Sequence, residues 1–118
     1  MPHMLLIHEP VGQRATRSDA EGRAAYERML RWGDTLKERG LLLAAESLAS
    51  TESAVRVTVP AGKARIVDGP FAEAKEMVGG FFMVNVDSRD EAIALAAECP
   101  AAEWATVEVR ALAPCFMR

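Results

Sequence analysis

Apolar and polar positions alternate along this chain in blocks whose period changes several times. The run HMLLIHE, His3 to Glu9, is short, apolar and closed by Pro10, Val11 and Gly12, which predicts a first strand. Next, Ala25, Met29, Trp32 and Leu36 recur at steps of three and four, the spacing of one face of an α-helix. Ser18 and Glu21 form an S-x-x-E capping box at its start, and Gly40 supplies a left-handed stop. LLLAAESL, Leu41 to Leu48, reads as a second strand, although its leucines and alanines would also prolong the helix if Gly40 were tolerated inside it. In AVRVTVPAGKARIVDGP, Val55, Val57 and Val59 alternate with Arg56 and Thr58, PAGK turns the chain and ARIV returns, which predicts a hairpin. GFFMVNV is a further strand. A second S-x-x-E pair, Ser88 with Glu91, opens a helix that Pro100 closes, and WATVEVRAL, Trp104 to Leu112, alternates as the last strand.

This order predicts one α+β domain over residues 1–118, a ferredoxin-like βαββαβ plan with an inserted β-hairpin. Both helices are expected on one face of the sheet, above the parity that holds Leu5, Ile7, Phe82, Val84, Val107 and Val109. The opposite parity carries Leu6, Leu42, Phe81, Met83 and Trp104 among a few polar tips. An apolar surface of that extent predicts a homodimer packed sheet to sheet. With the first and third core strands read as parallel neighbours, His8 and Asn85 fall at one end beside Trp104, and Glu46, Glu108 and Arg110 fall toward the other, nearer the Asp68 loop.

Charge narrows the function classes. The net charge of −3 and pI near 5.4 leave no basic patch for phosphates, so no nucleic-acid partner is expected. No segment has the length of a membrane helix or a signal peptide, so the expectation is a cytoplasmic protein without a membrane partner. Cys99 and Cys115 lack metal-ligand spacing and read as reduced thiols.

Few residues invite chemistry. His8 is the candidate general acid or base, because imidazole titrates near neutrality and an apolar face surrounds it, while His3 is expected in solvent. Asp68 can cap the turn it shares with Gly69 and Pro70, or orient a proton carrier beside a pocket. Glu46, Phe81, Met83, Asn85 and Trp104 are the expected substrate-binding residues on the open sheet face. Glu73, Lys75 and Glu76 read as a one-turn helix or lid with Gly79 and Gly80 as hinge. Nucleotide, zinc-protease and serine-hydrolase motifs are absent, and no spacing calls for a metal.

Taken together, HMLLIHE, DGPFAEAKEMVGGFFMVNV, DEAIALAAECPAA and VEVRAL resemble the DGPF-motif branch of the YCII-related proteins over nearly the whole chain. The resemblance implies a dimeric α+β barrel with a cleft against the open sheet. It also implies a His/Asp catalytic feature, one branch being associated with dehydrochlorination of a hydroxylated aromatic. Tyr26 stands where the wider family carries a helix-borne histidine, and Trp104 where the branch often has a small residue. Two functions follow as expectations. One is a cofactor-independent small-molecule enzyme of lyase or isomerase type with His8 and Asp68 catalytic. The other is a ligand-binding or regulatory module acting with a partner such as an alternative sigma factor.

Overall fold

Ser18 starts the long helix as its sequence demands. Its hydroxyl accepts from the Glu21 N–H and the Glu21 carboxylate accepts from the Ser18 N–H, so α1 runs over Asp19–Glu38 from a complete capping box. At its end Gly40 takes a positive φ of 71°, and the chain turns into the next strand. The computed structural model describes all 118 residues. Its strands are β1 (His3–Pro10), β2 (Leu42–Ser47), β3 (Val55–Thr58), β4 (Arg65–Asp68), β5 (Glu76–Val84) and β6 (Thr106–Ala111), and the second helix, α2, spans Arg89–Glu98. Ser88 caps α2 by accepting from the Glu91 N–H, without the reciprocal bond of a full box.

Four strands form one sheet in the order β2-β5-β1-β6, and β3 and β4 form a second sheet by themselves. Every pairing is antiparallel. Leu5 lies opposite Phe82 on one side and Val109 on the other, and Leu6 opposite Phe81 and Glu108. Between Ile7 and His8 the register slips, because Gly80 pairs with Ile7 and Val78 with His8, leaving Gly79 as an extra residue, a β-bulge.

The helices cover one face. Leu5, Ile7, Phe82, Val84 and Val86 meet Trp32 and Leu36 of α1 and Ala92, Leu95 and Ala96 of α2 in a single core, with the Trp32 ring edge-on to Phe82 at 4.8 Å. Leu36 is fully buried, so truncating it to alanine would cost about 2–5 kcal/mol.

Two expectations are corrected here. The fold is a mixed α/β one with two helices and two sheets, and neither sheet closes into a barrel, so the dimeric α+β barrel does not describe it. Closure needs the edge strands to meet. Here β2 and β6 lie at opposite edges of an open sheet, and the hairpin strands pair only with each other. The core strands β1 and β5 are also antiparallel rather than parallel, which puts His8 opposite Val78 and leaves Asn85 beyond the pairing of Val84 with His3. His8 and Asn85 therefore sit at opposite ends of the sheet.

The β3–β4 hairpin stands apart as an arm. Val57 faces Ile66 across it, and the two are 60% and 65% exposed. The arm contributes to a flattened molecule of 46 × 42 × 19 Å, with a radius of gyration of 16.1 Å against about 13 Å for a compact 100-residue domain.

Candidate active site

Glu9 continues the parity of Leu5 and Ile7, so the pleat of β1 drives a carboxylate toward the helix face. It is buried there, 6% exposed, above the bulge at Gly79. A Cβ on Gly79 would come within 2.7 Å of the Glu9 carboxyl carbon, so only glycine leaves the carboxylate its seat. Arg14, in a 3-10 turn over Arg14–Thr16 after β1, donates its Nε to Glu9 Oε1 at 2.5 Å and a terminal N–H to the Gly79 carbonyl at 3.4 Å. Glu9 Oε2 has no protein donor, and no fully buried side-chain oxygen lacks a partner, so Oε2 is open to the space beside it.

That space is a cavity of about 600 Å3 between α1 and the sheet. Ile7, Met29, Leu30 and Phe82 give it apolar walls, and Glu9, Arg14, Arg17 and Tyr26 place polar groups in them. Farther along α1, Asp34 and Lys37 line it, and Glu46 of β2 borders it where its backbone carbonyl lies against Gly80. A largely apolar hollow with a few convergent polar groups has the makeup of a small-molecule site.

One wall is Trp104, just before β6. Its carbonyl accepts from Gln13 Nε2 at 2.8 Å, and the Arg17 and Arg28 guanidinium carbons lie 5.6 and 5.4 Å from the centre of its ring. Arg28 is itself ion-paired with Glu103.

The expected site residues divide among three places. Trp104 lines the cavity under α1, and Glu46 and Phe81 border it, while their register, Glu46 opposite Phe81 and Phe81 opposite Leu6, turns both side chains to the open face. His8 and Met83 lie on the open face, where His8 Nε2 donates to Glu108 Oε1 at 2.6 Å and Met83 pairs with Met4. Asp68 ends β4 on the arm, opposite Val55 and exposed, and Asn85 is exposed beyond β5. His8 bonds Glu108 and makes no hydrogen bond to Asp68. His3, expected in solvent, is buried and donates from Nδ1 to the Val86 carbonyl at 2.8 Å.

The expected lid and hinge take another form. β5 already begins at Glu76, and Gly79 and Gly80 lie inside it as close-approach positions, since a Cβ on Gly80 would meet the Glu46 carbonyl oxygen at 2.8 Å. In the DGPF stretch Gly69 donates its N–H to the Ala54 carbonyl, and its Cα faces the Thr51 carbonyl with no room for a Cβ. That stretch is a packed turn.

Sequence reasoning passed over Glu9, Arg14 and Arg17 as cavity groups. Glu9 left a readable signal, an acid at the parity of the core. The arginines left none, because a turn outside any periodic element brings them in.

No group of three or more His, Cys, Asp or Glu side chains is gathered to hold a metal ion, and no helix is long and apolar enough to cross a membrane. Fold and cavity together define a small mixed α/β protein with an acid-bearing pocket between helix and sheet. The YCII-related domain matches residues 1–115, and the chain belongs to that family. It is also similar to an uncharacterized protein of Rhizobium meliloti (strain 1021), 38% identical over 78 residues, a match spanning 64% of this chain and 63% of that protein.

Proposed function

We propose that this chain is a small-molecule enzyme that moves protons without a cofactor, in lyase or isomerase chemistry, with its substrate in the cavity under α1. The observation that carries the reading is Glu9, a buried carboxylate with one oxygen held by Arg14 and the other open to the cavity. Such a group is placed to act as general base. In this reading Oε2 takes a proton from a carbon next to a carbonyl, Arg14 holds the carboxylate in register, and the Tyr26 hydroxyl faces the oxygen on which charge develops. The Asp68-Gly69-Pro70-Phe71 run further supports placing the chain in the DGPF-motif branch.

A second reading keeps His8 as the proton carrier on the open face, favoured by its bond to Glu108. Asp68 would then have to act from the arm, as an orienting carboxylate.

Exchange of carbon-bound protons in D2O, followed by proton NMR over a panel of 3-oxo acids and lactones, tests both. The wild type is expected to exchange at least one of them, and Glu9→Gln to slow that exchange by roughly 100-fold or more, with His8→Ala unchanged. Loss of exchange in His8→Ala with Glu9→Gln fully active would transfer the role to the open face.

A further inference from the structure

The cavity lines about 22 Å of α1, from Gly22 to Lys37, and its charges are not evenly spread. Glu9, Arg14 and Arg17 gather by the start of α1, Asp34 and Lys37 lie in its later turns, and Glu46 of β2, opposite Phe81, turns its side chain to the other face of the sheet. Glu9 and Arg14 neutralise each other, which leaves Arg17 as the uncompensated charge by the start of α1. Arg17 makes no ion pair with a carboxylate. Glu21 feels its charge but is engaged with Ser18 in the helix cap.

Arg17 is nonetheless held. One of its terminal nitrogens donates to Gln13 Oε1 at 3.3 Å, and Gln13 is in turn fixed by its bond to the Trp104 carbonyl. The guanidinium lies over the Trp104 ring, and the residue is half-buried. Nε and the other terminal nitrogen carry N–H donors with no protein acceptor. A cation steered into an apolar cavity by two neighbours, with its donors free, is built to receive an anion.

Resting on the cavity reading above, we infer that the ligand is an organic acid with an apolar body, its carboxylate on Arg17 and its body along Met29, Leu30 and the Trp104 wall. Gln13 is a positioning residue, since it does not line the cavity and reaches the ligand's carboxylate through Arg17.

Calorimetric titration with octanoate and with 1-octanol tests this, one probe carrying the acid group and the other only the apolar body. The wild type is expected to bind octanoate roughly tenfold or more tightly than octanol. Arg17→Gln should bring octanoate down to the affinity of octanol and leave octanol unchanged, and thermal melts will show that the variant stays folded. Gln13→Ala should weaken octanoate several-fold and spare octanol, a split that a general loosening of the cavity would not produce. Equal binding of the two probes by the wild type, or an acid preference that survives in Arg17→Gln, would overturn the Arg17 assignment and leave the cavity reading standing. Binding of neither probe would overturn both.

Discussion

At Gly79 and Gly80 a single methyl group separates stability from function. A Cβ on Gly79 meets the end of the Glu9 side chain, which can swing away, whereas a Cβ on Gly80 meets the Glu46 backbone carbonyl, which cannot. Gly79→Ala is therefore expected to displace the carboxylate and suppress proton exchange at a stability cost of about 1 kcal/mol, with Gly80→Ala losing roughly 2 kcal/mol or more in a denaturant titration. The cysteines differ as sharply. Cys99 is 2% exposed and burial pushes its thiol pKa up, while Cys115 is exposed. Iodoacetamide at pH 8 should alkylate Cys115 and spare Cys99, as read by peptide mass spectrometry. The fold favours the neutral Cys99 thiol. Its contribution to stability is thus present below the ordinary thiol pKa and is lost as pH rises through the higher folded value.

Elements differ in how much local sequence decides. Ser18 and Glu21 cap α1 within one turn, and the alternation in Val55–Thr58 and Arg65–Asp68 pairs as expected, because both depend on neighbours in the chain. The bulge in β5 and the shift between Leu42 and Ala44 depend on which strand lies alongside, and no local pattern announces them. The arm illustrates the limit of pairing alone. A two-stranded hairpin is marginal in water without a third layer, and Val55, Val57, Val59 and Ile66 leave its apolar side bare. Limited trypsin digestion is expected to cut first at Lys63 or Arg65, near the turn over Pro60–Gly62, and later in the four-stranded sheet, with mass spectrometry of the early fragments as the check. Early cleavage within α1 or β1 instead would mean that the arm is the more protected element.

Across the whole molecule, the chain's own pattern determined that two helices cover one sheet face, that Leu5, Ile7, Phe82 and Val84 lie beneath them, and that Ser18 and Ser88 open those helices. Those features follow from periodicity and capping, which act over a few residues and are written in the order of side chains. Strand direction and closure were decided by tertiary structure. Antiparallel pairing of β1 with β5 separates His8 from Asn85, and the isolation of β3–β4 leaves the main sheet open. The candidate site belongs to the same class. Glu9, Arg14, Arg17, Tyr26 and Trp104 come from a strand, a turn, a helix and a loop nearly a hundred residues apart, and they meet only because α1 lies across β1 and β5. A side chain's neighbours along the chain fix the element it joins, but the groups it faces across a cavity are set by how those elements pack.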